Sequence, residues 1–156
     1  MAVKPIPDGY HTVTPYMYIK AAAPALEFYK KAFGATELFR MADPSGRIGH
    51  AEIQIGDSRI MLADEHPEMG VRGPLTLGGT SSSLVIYVAD VDARFQQAVA
   101  AGATVTRPLK DQFYGDRTGT LTDPFGHVWT IAMHIEDVPP AEMNQRMEAM
   151  MKKKGD

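Results

Sequence analysis

Tyr114-Gly115-Asp116-Arg117-Thr118-Gly119-Thr120-Leu121-Thr122-Asp123-Pro124-Phe125-Gly126-His127-Val128-Trp129-Thr130-Ile131 decides how the rest of the chain is read. Asp-Pro-Phe-Gly at 123–126 spells a turn, because Pro presets φ at an early turn position and Gly accepts a φ that other residues avoid. Residues alternate on both sides of it, with Thr118, Thr120 and Thr122 before and Val128, Thr130 and Ala132 after. That period of two belongs to strands, so the stretch predicts a β-hairpin. On the second strand Trp129, Ile131 and Met133 form an apolar face; Val128, Thr130, Ala132 and His134 form a mixed one. Such a strand covers a helix with its apolar side and lines a groove with the other, which is where chemistry should be sought.

Before this hairpin come a strand over 82–88, a helix with Asp90 as N-cap that runs to Ala101 and closes on Gly102, and a strand over 103–108. The first half of the chain repeats the scheme. Residues 11–19 (HTVTPYMYI) read as a strand with Thr12, Thr14, Tyr16 and Tyr18 on one side, and Pro15 implies a sheet edge or a bulge. A helix over 21–33 carries Pro24 in its first turn and Leu26, Tyr29 and Phe33 at near-helical spacing. Strands over 35–41, 47–55 and 58–64 follow, separated by Asp43-Pro44-Ser45-Gly46 and Gly56-Asp57. Gly34-Ala35-Thr36 returns as Gly102-Ala103-Thr104, and a shift of about 69 positions lays Gly56 to Leu62 on Phe125 to Ile131, turn on turn.

The prediction is an α+β fold of two βαβββ modules, 10–65 and 81–136, joined by a Pro/Gly-rich linker over 66–80 within one domain, 1–138. Residues 139–156 follow as an amphipathic helical segment. Its Met143, Met147, Met150 and Met151 form a stripe, and Lys152 to Lys154 suit the negative end of its dipole. The stripe either covers the chain's own sheet or packs on a second subunit.

With 156 residues, 44% of them hydrophobic, the chain can bury one good core. A net charge of -3, with no basic block outside the last turn, gives no electrostatic support for nucleic acid as a partner. Zero cysteines exclude disulfides, thiolate nucleophiles and Cys-based metal sites. No apolar run approaches the roughly 18 residues of a membrane span, and residues 1–10 lack the apolar centre of a signal peptide. No membrane association is expected, and the expected location is cytoplasmic. No P-loop, GxGxxG or Ser-His-Asp arrangement occurs, and no cofactor is expected.

Ala25-Leu26-Glu27-Phe28-Tyr29 after a first strand, the paired modules, and Tyr-Gly-Asp-Arg at 114–117 followed by Asp-Pro-Phe-Gly-His at 123–127 resemble the vicinal oxygen chelate superfamily. That group includes glyoxalase I, bleomycin-resistance proteins, fosfomycin-resistance enzymes and extradiol dioxygenases. The branch this chain resembles most is that of the PhnB-like, glyoxalase-like proteins. The resemblance covers about residues 10–136. It implies curved mixed sheets around a groove, a homodimer whose partner completes that groove and, in catalytic members, a divalent metal held by His and Glu from four strands. Aligned on the helix motif, the first ligand position is Thr14, and the repeat carries it to Ser83. Aligned on Asp-Pro-Phe-Gly-His, the last is Thr130, whose repeat partner is Met61. Hydroxyls and a thioether do not replace imidazole and carboxylate, so no metal is expected there.

Other polar groups fall on the inner faces. His50, Glu52 and Gln54 alternate with Ala51, Ile53 and Ile55, which sets His50 and Glu52 about 7 Å apart on the groove side of one strand. With His134, on the same side as Thr130, they would make a relocated metal site or an acid/base pair; the plainer reading is a solvated pair at an edge. Tyr16, Tyr18 and Tyr87 share the inner face with Thr14 and Ser83, and an apolar groove with a few hydroxyls suits a flat organic ligand. Tyr114 and Arg117 border the cleft in the family that the chain resembles, where Arg117 either holds an anion or forms a structural salt bridge. His127 reads as a turn residue, and His11 and His66 as surface residues.

The expected function is metal-independent binding of a small organic molecule by a glyoxalase-like or bleomycin-resistance-like homodimer, with Met61, Thr130 and His134 among the groove residues. The alternative is a lyase or isomerase using His50 and Glu52 as catalytic groups, with or without a metal. A third class is a structural or protein-binding module acting through the Met-rich helix.

Overall fold

The computed structural model describes residues 2–155; Met1 and Asp156, the outer ends of the predicted domain and helical segment, lie outside the described residues. The first module is β1 (Tyr16–Ile19), α1 (Ala22–Phe33), β2 (Thr36–Ala42), β3 (Ile48–Ile55) and β4 (Ser58–Asp64). A 3-10 turn (Pro67–Met69) and the one-turn α2 (Pro74–Leu77) lead to the second. It contains β5 (Ser83–Tyr87), α3 (Val91–Ala101), β6 (Thr104–Asp111), β7 (Asp116–Thr122) and β8 (Val128–His134), and α4 (Pro140–Lys154) ends the chain. Each module folds into a four-stranded sheet, in the orders β1-β4-β3-β2 and β5-β8-β7-β6. In both, the first and last strands pair parallel while the other pairs are antiparallel.

These elements form for local reasons. Asp90 caps α3 by accepting from Ala93 N at 3.0 Å, and Gly34 closes α1 with its N–H on Lys30 O. The 123–126 turn closes through Gly126 N on Asp123 O, with Gly126 at φ 89, and it delivers β8 antiparallel to β7 from Thr122↔Val128 to Asp116↔His134.

Two boundaries differ from the sequence-based expectation. β1 starts at Tyr16, not at residue 11, because Pro15 has no N–H to give a ladder; its carbonyl does accept from Met61 N at 3.0 Å. β6 continues past Pro108 to Asp111, and the register slips between Arg107 and Lys110 to accommodate the proline. Within the linker, Pro67 and Pro74 each open a short helical turn, and Glu65 anchors it by accepting from Gly73 N at 2.7 Å and Thr76 Oγ1 at 2.6 Å.

One core serves both modules. Phe28, Tyr29 and Phe33 of α1 reach across to the second sheet, where the Trp129 ring lies 4.6 Å from Phe33 and 5.3 Å from Tyr29. Buried Asp123 ties the modules together. Its Oδ2 accepts from Tyr29 Oη at 2.7 Å and Trp129 Nε1 at 2.9 Å, and its Oδ1 accepts from the backbone N–H groups of Phe125 and His127. Burial, with the Asp123 carboxylate beside it, pushes the Tyr29 phenol well above its usual range. The methionine stripe of α4 covers neither sheet, since the helix has no buried residue and Met147 and Met151 stay exposed. Among the described residues no helix is long and apolar enough to cross a membrane.

Candidate functional site

On the first sheet, period-two alternation sorts the side chains. Met17, Ile19, Ala51, Ile53, Ile60 and Leu62 are buried toward α1. Tyr16, Tyr18, His50, Glu52, Arg59 and Met61 therefore stand on the opposite, groove-side face. The pairing lines up Tyr16, Met61, Glu52 and Phe39 across four strands, with His50 beside Met41 in the next row. His50 and Glu52 are the centre of a hydrogen-bonded chain. Tyr16 Oη lies 2.9 Å from His50 Nδ1, His50 Nε2 lies 3.1 Å from Glu52 Oε1, and Tyr10 Oη donates to Glu52 Oε2. With a neutral imidazole both contacts are satisfied: Nε2–H donates to the carboxylate and Nδ1 accepts from the Tyr16 phenol.

Charge is tuned along this chain. The Tyr10 hydrogen bond is the main influence that holds Glu52 below the usual carboxylate range, against partial burial, with His50 and Arg59 helping. Partial burial, and Tyr18 close by, push the Tyr16 phenol upward. The Arg59 guanidinium sits 4.8 Å over the Tyr10 ring. Chemically, a carboxylate orients an imidazole that in turn accepts from a phenol at the open face. In that order His50 Nδ1 can take the Tyr16 proton, which leaves Tyr16 Oη able to accept one at the open face.

Tyr10 and Arg59 were missed from sequence. Tyr10 lies in a Pro/Gly-rich arm without periodicity and meets a partner 42 residues away. Arg59 carried a usable signal, since it stands two residues before Met61 and shares its face.

The second sheet holds a separate polar cluster. His134 Nδ1 donates to Asp116 Oδ1 at 2.7 Å, Tyr87 Oη donates to Asp116 Oδ2 at 2.7 Å, and His134 Nε2 lies 2.8 Å from Asp137 Oδ1. His134 is thus engaged within its own sheet and does not join His50 and Glu52. Burial alone would raise Asp116, but the His134 and Tyr87 hydrogen bonds and the His134 charge outweigh it and hold Asp116 low. His134 is raised by Asp116 first and by Asp137 second.

A group whose folded pKa is raised contributes stability that is full below its unfolded value, about 6.5 for His, and is lost as pH rises through the folded value. The melting-temperature gap between the native chain and His134→Gln is therefore expected to be widest near pH 6 and to close by about pH 9. A gap that stays constant over that range would show that the imidazolium contributes nothing there.

The four positions aligned with the family's metal ligands take up a consistent stagger. Met61 pairs with Tyr16 and Thr130 with Val85, so Thr14 and Ser83 each stand two residues earlier on the neighbouring strand or its approach. Thr14 Oγ1 donates to His11 O at 3.4 Å, and Thr130 Oγ1 shares a 3.0 Å hydrogen bond with Thr120 Oγ1. Among the described residues no three His, Asp or Glu side chains are grouped to hold a metal ion.

Of the remaining candidates, Arg117 forms the structural salt bridge. It is bidentate on Asp92 at 2.9–3.0 Å and also holds Asp111 at 2.9 Å, so both edges of its fork are taken and it has no free edge for an anion. Tyr114 is packed edge-on against Phe113. His127 reaches out of its turn to Tyr18 O at 3.1 Å, bridging the two modules beside a cavity of about 360 Å³. His66 joins Arg47 and Glu68 at the surface, and His11 is exposed in the arm.

Two sheets of this topology, each returning its last strand parallel to its first, are matched by comparison with known proteins. Residues 10–131 match the Glyoxalase/Bleomycin resistance protein/Dioxygenase superfamily. The chain belongs to this superfamily. An uncharacterized protein of Mycobacterium bovis is 42% identical over 140 residues, which is 88% of this chain and 92% of that protein. Among solved structures, TioX from Micromonospora sp. ML1 superposes with a TM-score of 0.61 at 23% identity, over 83% of this chain and 100% of that one. The PhnB protein of Bacillus cereus does so with a TM-score of 0.61 at 18% identity, over 79% and 99%. At these identities the structural matches speak for the glyoxalase fold alone.

Proposed function

We propose that this member of the superfamily binds a small organic molecule on the groove face of its first sheet, without the family's divalent metal, as a homodimer whose second copy supplies the opposite wall. The observation that carries the reading is the half-exposed aromatic and apolar face of Tyr16, Tyr18, Phe39 and Met41 around the His50–Glu52 pair. Rings flanking a few fixed polar groups suit a flat organic ligand. The second sheet presents Val85 and Tyr87 outward in the same way, and such faces favour a partner. The two hydroxyls, the thioether and the further hydroxyl of Thr14, Ser83, Met61 and Thr130 are a poor donor set for a divalent cation, so the chemistry assigned here uses none.

A second reading is favoured by the hydrogen-bonded order Tyr16, His50, Glu52. In it the chain is a lyase or isomerase in which Tyr16 Oη takes a proton from the carbon next to a substrate carbonyl as its own proton passes to His50 Nδ1, oriented by Glu52.

The test is a thermal-shift screen of flat aromatic compounds in chelator, with light scattering on the same samples to check that the chain is a dimer. A hit is expected to persist in chelator and to weaken by roughly tenfold in Tyr16→Ala, from loss of about 1–2 kcal/mol of aromatic contact. Binding that needs metal, or that ignores Tyr16→Ala, sinks the groove reading. Turnover of a hit that vanishes in both His50→Ala and Glu52→Gln selects the second.

A further inference from the structure

Where the modules meet, a cavity of about 510 Å³ opens between the arm before β1, the β3–β4 turn and the edge strand β5. Leu84 and Ile86 are among its apolar lining residues, with Phe33 and Trp129 buried behind them. Arg59 and Arg94 line it together with a single carboxylate, Asp57.

The two guanidinium groups differ from others in the chain. Arg40, Arg117 and Arg146 are each held by carboxylates at 2.6–3.0 Å. Among the described residues neither Arg59 nor Arg94 has such a partner: Arg94 meets only Gln97 Oε1, at 3.4 Å, and Arg59 Nε is buried with no hydrogen-bond acceptor. Arg94, a guanidinium held by no carboxylate and lining an apolar hollow, suits an acceptor that arrives with a ligand.

We propose that this cavity is a binding site for an organic monocarboxylate with a ring-sized apolar body. The ring would lie against Leu84 and Ile86, over the buried Phe33 and Trp129, and the carboxylate would take Arg94 with Arg59. The planar guanidinium fork matches a carboxylate's two oxygens. Asp57 in the lining and Glu52, on which the Arg59 charge already acts, reduce the positive charge of the site, which suits a single negative charge better than the double charge of a phosphate monoester. The volume lies within the roughly 300–1,000 Å³ of small-molecule sites. The site shares Arg59 with the groove face of the first sheet, but neither His50 nor Glu52 lines it. Thr14 and Tyr87, two of the ligand-binding candidates, do. The charge complementarity expected of Arg117 thus passes to Arg94 and Arg59.

Trp129 is the only tryptophan and lines this cavity, so its emission is a single-site probe that a ligand bound there can shift. The experiment titrates the purified chain with cyclohexanecarboxylate, which does not absorb at the exciting wavelength, and with the neutral isostere cyclohexylmethanol. The expected result is a saturable emission change for the acid, with the alcohol roughly tenfold weaker. Arg94→Met is expected to bring the acid down to the level of the alcohol while binding the alcohol as the native chain does. Equal affinities for acid and alcohol in the native chain, no saturable change, or acid binding that survives Arg94→Met each overturn the proposal. The acid–alcohol comparison needs no variant, so it stands even where Arg59→Met, which also loses the Tyr10 contact, fails to fold. Aromatic binding on the groove face does not depend on Arg94, so the failure of one site is readable without the other.

Discussion

Asp123→Ala is expected to destabilise the chain by about 3–5 kcal/mol, because each buried donor left without an acceptor costs about 1–3 kcal/mol. Four donors converge on this one carboxylate: the Tyr29 hydroxyl, the Trp129 indole N–H and the amides of Phe125 and His127. Asp123 is almost fully buried, so water cannot simply take over from it. The two side-chain donors come from different modules, which makes the residue a joint as well as a turn former. For a chain of this size the loss corresponds to a fall in melting temperature of roughly 10 °C. Asp123→Asn keeps one acceptor oxygen and presents an amide N–H to the other pair of donors, so it is expected to fall between Asp and Ala. A melting temperature for Asp123→Ala within about 2 °C of the native value, by calorimetry, would mean that relaxation or water supplies the missing acceptor.

The turn around Asp123 was legible in the sequence because its logic is local. Pro124 and Gly126 select the turn, and alternation sorts Trp129 and Ile131 from Thr130. The whole βαβββ order was readable for the same reason, with period-two strands, a near-helical run through Tyr29 and Phe33, and glycines repeating at matched distances. What failed was also local: the consequences of Pro15 and Pro108 were underweighted in one strand and overweighted in the other. The candidate site was only half legible. Alternation found His50 and Glu52, since a strand places i and i+2 on one side. It could not find Tyr10, whose arm has no period, nor that Asp92 on α3 would take Arg117 from 25 residues away. His134 was grouped with His50 because both face grooves. Which groove is a matter of sheet membership, and that emerges only when β8 pairs with β7 and β5. The cavity at the seam was invisible for the same reason, as its walls come from segments far apart in the chain.

Gly115→Ala is the second large effect, expected at about 2–4 kcal/mol, from a non-glycine residue forced into a positive-φ conformation together with a backbone clash. Gly115 sits at φ 101, and a Cβ built there would lie 2.1 Å from the carbonyl oxygen of Glu136. The neighbour is backbone, so it cannot rotate away as a side-chain tip would. The close approach exists because Gly115 O accepts from both Ile135 N at 2.9 Å and Glu136 N at 3.0 Å, stitching the chain just after β8 to the loop before β7. This is the physical reason for glycine in Tyr-Gly-Asp-Arg. The same loop also moors α4, through Arg146 on Phe113 O at 3.2 Å and on Glu136 at 2.7–2.9 Å. The damage should therefore be directional. Amide exchange in residues 135–154 is expected to accelerate well before the rest of the fold loosens, because this segment has few buried contacts of its own. Uniform acceleration across both sheets would instead place Gly115 in the cooperative core, and unchanged exchange with an unchanged melting temperature would show that the loop yields to the added methyl at no cost.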